Sequence, residues 1–199
     1  MVTHDFSKSI NYEHSNFPKA NKFYTEILKV GKITRIGFDN EESRALQRLD
    51  VDACFEYNGK QVYVSEKYRK VDYGDLLLEV FSKFPHTPGW MNNSAADYLA
   101  YFVPSKVYWI NKKQLTWFYS NILYKVIPDS FFQKLINNYP RQSRKEQTII
   151  EINGSREYVK VVQAYNAPYG SNDTWYTENI CVKFSTLRRA GVEIEEYPI

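Results

Sequence analysis

Cysteine is scarce: Cys54 and Cys181 are the only two in 199 residues, too few for a disulfide framework or a thiolate zinc site. A reducing cytoplasm is therefore the expected setting. Long apolar runs are missing as well, because no window approaches the ~18 apolar residues that a membrane span requires. Met1-Val2-Thr3-His4-Asp5 has no basic stretch followed by an apolar core, so a soluble, non-secreted chain is expected. Charge of one sign is not in excess. Lys plus Arg number 26 against 23 for Asp plus Glu, a net +3, which does not by itself demand a nucleic-acid partner. His4, His14 and His86 are scattered, and no phosphate-cradling glycine loop, nucleophile elbow or H-E-x-x-H helix occurs. What remains is chemistry by carboxylates and lysines, or binding without chemistry.

Aromatic residues are abundant, with Tyr 17, Phe 12 and Trp 4. Tyrosine fills a strand face while keeping its hydroxyl wet, and it also stacks on bases. The pattern along the chain alternates between strand and helix. Residues 1–16 are polar and without periodicity, which reads as a loose arm. Phe23, Ile27 and Val30 recur at helical spacing, with Pro18 in the first turn, and predict a helix over Phe17–Val30. A short strand over Lys32–Phe38 and a helix from Asp39-Asn40-Glu41-Glu42 to about Arg48 follow, the acids suiting the helix dipole.

Asp50 to Tyr57 and Gln61 to Arg69 alternate with period two around Asn58-Gly59, the strongest short hairpin signal. Asp75 to Ser82 is apolar enough for a buried central strand. A helix over Asn93–Phe102, stopped by Pro104, and a strand over Lys106–Ile110 complete an expected crossover. Further helices are expected over 112–127 and 131–138, then strands over 148–152, 157–164 and 176–184. The expected fold is α/β, a mixed central sheet flanked by helices over 17–147, with a β-rich extension over 148–199 packed on it.

A two-residue turn at Asn58-Gly59 sets the register: Asp52 faces Ser65 and Asp50 faces Lys67. Asp50, Asp52, Ser65 and Lys67 then share one face near the open end, with neighbours about 5 Å apart. Two carboxylates and a lysine so spaced can hold a divalent cation and steer a water or phosphate beside it. An exposed face with ordinary ion pairing is the competing reading. Asp75 and Glu79 lie among Leu76, Leu77, Leu78 and Val80, where an ionised carboxylate needs compensation, so that strand is expected to bring further acids to the same side.

A helix, a hairpin with Asp on its first strand and an (E/S/Q)-x-K element, Ser65-Glu66-Lys67, on its second, then strand, helix and strand, resembles the core of the PD-(D/E)XK, or restriction-endonuclease-like, nucleases over Asn40–Ile110. In that superfamily the Asp and Glu of D…ExK bind Mg²⁺ and the Lys orients or activates the attacking water. The resemblance implies Asp52 as the motif Asp and Lys67 as the motif Lys, with Ser65 in the place of the Glu and no Pro before Asp52. The missing acid is then Glu66, turned in by a bulge, or Glu79 or Asp75 from the next strand. The implied activity is Mg²⁺- or Mn²⁺-dependent hydrolysis of DNA phosphodiesters, with Asp52, Glu66, Lys67 and Glu79 catalytic. The alternative is an inactive nuclease fold that binds DNA or a protein partner, and a homodimer stays open. Arg69, Lys70, Arg141, Arg144 and Lys145 are the candidate phosphate contacts, with Arg188-Arg189 and Lys112-Lys113 read as smaller surface clusters.

Overall fold

The structure, a computed structural model, describes residues 15–37, 40–168 and 172–199. In chain order it forms a helical segment α1 over 15–27, whose second half Phe23–Ile27 is π-wound, β1 (Ile33–Arg35), α2 (Glu41–Arg48), β2 (Ala53–Tyr57), β3 (Lys60–Tyr68), β4 (Asp75–Phe84), β5 (Thr87–Pro88) and α3 (Trp90–Asn93). β6 (Tyr98–Val103) and β7 (Lys106–Asn111) follow, then α4 (Lys112–Phe118), which passes through a π turn at Tyr119–Leu123 into α5 (Tyr124–Val126). α6 (Asp129–Asn138), β8 (Arg144–Ile152), β9 (Ser155–Asn166), β10 (Trp175–Lys183), α7 (Phe184–Arg189) and β11 (Ile194–Pro198) complete it. The fold is mixed α/β with two sheets. Among the described residues no helix is long and apolar enough to cross a membrane. Residues 1–14 of the expected arm lie outside the described residues, and residues 15 and 16 already belong to α1.

The strands sort into two compact units. Among the described residues one contains 15–37, 40–72, 94–113 and 194–199, and its six-stranded sheet has the order β1-β2-β3-β6-β7-β11. All neighbours are antiparallel except β3 and β6. The second contains 73–93 and 114–193 around a five-stranded antiparallel sheet, β5-β4-β10-β9-β8. The boundary expected at 148 is therefore not where the chain divides: β8 to β10 share a sheet with β4, while β11 returns to pair with β7.

Local chemistry explains most elements. Asn58 and Gly59 both take left-handed backbone (φ 51° and 74°), as a type I′ turn requires, and the register Ala53↔Val64 through Tyr57↔Lys60 matches the expected hairpin. Asn153-Gly154 does the same between β8 and β9. Asn40 caps α2 by accepting the Ser43 N–H at 2.8 Å. Asn40→Ala is expected to cost about 1 kcal/mol in urea unfolding, the usual loss for such a cap. Gly89 is needed for close approach: a Cβ there would collide with the Glu79 backbone.

Tyr98–Val103 is a strand, not the helix expected over 93–102. A six-residue apolar run has no period that separates a buried strand from a buried helix, and four of its residues are aromatic or β-branched. It pairs with β7 as a hairpin and with β3 in parallel, so the expected crossover onto 106–110 is replaced by a return to β3.

The core of the six-stranded unit packs Phe23 and Tyr24 of α1 on Val62, Val64, Phe102 and Trp109. Each such fully buried side chain contributes roughly 1.5–3 kcal/mol. In the five-stranded unit Leu76, Leu78, Val80, Val161 and Ile180 are sealed, and Phe132 of α6 meets Phe81 and Phe84 edge to face.

Candidate functional site

The end of α2 sets the site. Leu49 is its C-cap, the Asp50 N–H bonds Gln47 O and the Val51 N–H bonds Leu46 O, the paired closure of a Schellman motif. That motif puts its next residue in left-handed backbone, where glycine is favoured. Here the residue is Asp50, with φ 56°. Its side chain is anchored on both oxygens, Ser65 Oγ donating at 2.6 Å and Lys67 Nζ at 2.5 Å. These bonds offset the backbone strain, which is of order 1–3 kcal/mol for a residue in such a region.

Asp52 lies one residue before β2. Its backbone stays in the ladder, donating to Val64 O and accepting from Ile36 N. Its carboxylate Oδ2 accepts the Glu66 N–H at 2.6 Å. Burial pushes the Asp52 carboxyl up to about 7, the nearby ammonium of Lys67 pulls it down, and Asp50 and Glu66 push it up again. Asp50, Asp52, Ser65 and Lys67 thus gather at the open end of the hairpin, Asp50 by the left-handed closure of α2 rather than by the extended register expected for it.

Lys112, at the start of α4, is the member that sequence reading missed. It is buried, and its backbone N–H bonds Asp97 O, while Asp97 Oδ2 accepts the Tyr63 N–H. Burial lowers the Lys112 ammonium to about 8, against the pull of Asp50, which raises it, and with the help of Lys67. One signal was available. A lysine in the first helical turn opposes the helix dipole, so its placement has a reason outside the helix.

Two expected acids are elsewhere. Glu66 points to the opposite face from Lys67, into the core beneath α1, because neighbours in an unbroken strand alternate faces and β3 carries no bulge. There its Oε1 accepts from Tyr24 Oη (2.7 Å) and Arg35 Nη1 (2.6 Å), and Oε2 accepts from Tyr68 Oη (2.5 Å). Glu79 lies on β4 in the five-stranded sheet, opposite Asn179, and accepts from Ser82 Oγ. Asp75 stands opposite Lys183 in that sheet. The expectation that β4 would add carboxylates to the hairpin face is corrected, since β4 pairs with β10 and β5 instead. Among the described residues no three His, Cys, Asp or Glu side chains group to hold a metal ion.

The candidate phosphate contacts divide between the units. Arg69 and Lys70 extend from the end of β3, Arg69 donating its N–H to Phe102 O. Arg141 and Lys145 are exposed. Arg144 is half-buried, its guanidinium lying 3.9 Å from the Tyr139 ring centroid, so it is a packing residue as well as a charge. No family model, curated protein or solved structure matches the chain.

Proposed function

We propose that the six-stranded unit carries a nuclease site of PD-(D/E)XK type, hydrolysing DNA phosphodiesters with Mg²⁺ in a reducing cytoplasm. The observation that carries this reading is the convergence of Asp50, Asp52, Ser65, Lys67 and Lys112. They come from three segments, the α2–β2 connection, β3 and the start of α4, and both Asp52 and Lys112 have their ionisation moved toward neutrality. Groups displaced in this way, with a specific charge partner, mark sites of chemistry more often than solvated surface.

Asp50 and Asp52 would be the carboxylates that hold one magnesium ion. Magnesium takes one or two carboxylates and keeps waters, and each carboxylate here retains lone pairs beyond its bonds to Ser65, Lys67 and the Glu66 N–H. A cation would also relieve the desolvated Asp52 carboxyl. Glu66 and Glu79 are not part of that set. When bound, the ion would polarise the phosphate and acidify a bound water. Lys67, a quarter exposed and paired with Asp50, would orient that water or a phosphoryl oxygen. Ser65 and Lys67 fix the Asp50 carboxylate, and the Glu66 N–H fixes that of Asp52, so the acids are oriented before substrate arrives.

The experiment is plasmid nicking with Mg²⁺ or Mn²⁺. Cleavage supports the reading; DNA binding without cleavage under either ion overturns it in favour of a non-cutting binder. One observation favours that second reading: with Glu66 in the core, Asp50 and Asp52 are already balanced by Lys67 and Lys112.

Phosphate contacts outside the site have their own readout. Replacing Arg141 and Lys145 by Ala, with Arg144 kept for its packing, should weaken DNA binding similarly across sequences. The slope of log K against log salt should fall in magnitude by up to about 0.9 per lost contact. An unchanged slope assigns that loop to solvated surface and moves the search to Lys67–Lys70.

A further inference from the structure

The five-stranded sheet contains a buried polar row. In the register of β8, β9 and β10, Arg144 stands opposite Gln163 and Gln163 opposite Glu178. The row continues a face otherwise made of Val159, Val161, Ile180 and Val182, all sealed. Gln163 is 1% exposed and Glu178 0%, and Gln163 Nε2 donates to Glu178 Oε1 at 2.8 Å. Their other oxygens, Gln163 Oε1 and Glu178 Oε2, are both buried and have no hydrogen-bond partner.

Two orphaned acceptors on an already bonded pair define a chemical problem. A buried, unpaired acceptor is costly, and an ionised carboxylate without a cation is costlier still. One proton solves both: a carboxylic acid beside a primary amide closes a two-bond ring, amide N–H to acid C=O and acid O–H to amide C=O. We propose that Glu178 is held as the neutral acid, its Oε2–H donating to Gln163 Oε1, and that this acid–amide pair is a proton-operated latch between β9 and β10. Its position suits that role. The register between β10 and β4 shifts on both sides of Glu178, so the latch sits at the irregularity of the sheet.

The surrounding charges do not offer Glu178 an ion pair. On β4 it faces Phe81, Glu79 accepts from Ser82, and Lys83 lies over the Trp175 ring. On β8 Arg144 lies over the Tyr139 ring with its Nε buried and without a hydrogen-bond partner, opposite Gln163, and it is not among the groups that shift Glu178; Asp129 and Lys134 of α6 are exposed. Burial accordingly raises the Glu178 carboxyl from 4.5 to about 8, with the Gln163 bond pulling it back. A folded-state value above the unfolded one means that the folded chain holds the proton more tightly. The latch's contribution is complete below the unfolded value of 4.5, declines between 4.5 and about 8, and is constant above that.

The test is urea unfolding of the full chain across this range, wild type against Glu178→Gln. The variant has nearly the same shape and can form a two-bond amide–amide pair with Gln163, but it carries no titratable proton. The folding constant of the wild type, taken relative to the variant, is expected to fall about tenfold per pH unit from about 5 to 8 and then level. Profiles that run parallel throughout would overturn the proposal. Should the variant not fold, infrared spectra of wild type labelled with carbon-13 glutamate decide. A glutamic-acid carbonyl band in the folded protein at pH 7, lost reversibly above pH ~8, is expected; its absence at pH 7 overturns the proposal.

Discussion

Lys67→Ala and Asp52→Asn are each expected to lower Mg²⁺-dependent plasmid cleavage by at least ~100-fold, the scale of losing a positioned water or a metal ligand. The two differ in what else they do. Lys67→Ala leaves Asp50 and Asp52 as neighbouring carboxylates with one ammonium fewer, so its stability falls with its activity. Asp52→Asn keeps an oxygen that can accept the Glu66 N–H and removes a charge that burial disfavours. The Asp52 carboxyl stands at about 7 in the fold against an ordinary 3.8, so the folded state loses stability as pH rises from 3.8 through 7. The Asn variant escapes that loss. With a chelator present, its urea midpoint at pH 8 is expected to equal or exceed that of the wild type while cleavage collapses. A variant that cuts at the wild-type rate would remove Asp52 from the chemistry, and one that simply unfolds would make its role structural.

The hairpin and its open end were legible because their causes are local. Asn58-Gly59 dictates a turn, the turn dictates the register of β2 on β3, and the left-handed closure of α2 then delivers Asp50 to Lys67 and Ser65. The cap and acidic first turn of α2 were legible for the same reason. What was not legible depends on partners distant in sequence. Leu76, Leu78 and Val80 announce a buried strand but not which sheet it joins, and β10, its main neighbour, lies about a hundred residues further on. Tyr98–Val103 is apolar at every position, so no period distinguished strand from helix until β3 and β7 were seen on either side of it. Glu66 departs from its expected place for a different reason. The motif asks for an acid two residues before Lys67, and the nearest acid is one residue away, on the wrong face of the pleat. Lys112 reads as surface in the sequence because nothing within its own helix records the burial of its side chain.

Glu66 carries the largest expected stability effect, and it arises from the face the motif does not use. Its carboxylate is 1% exposed and accepts from Tyr24, Tyr68 and Arg35, whose side chain is 24% exposed. Burial and the Glu66 charge both hold the Tyr24 and Tyr68 hydroxyls well above their ordinary range, so both remain donors across the working pH range. Glu66→Ala would leave two phenols and a guanidinium without their shared acceptor, beneath α1. Removing one partner of a buried ion pair typically costs about 3–5 kcal/mol, and a loss of that size is expected in urea unfolding. Replacing Arg35 and Glu66 together by Met should cost less than the sum of the single losses, because no charge is then stranded. At temperatures where the single variant stays folded, its cleavage should remain within a few-fold of wild type, since neither oxygen of Glu66 reaches the face that carries Lys67. A loss below about 1 kcal/mol would show that the network is dispensable to the fold, whereas a folded variant inactive to the same degree as Lys67→Ala would return Glu66 to the reacting cluster.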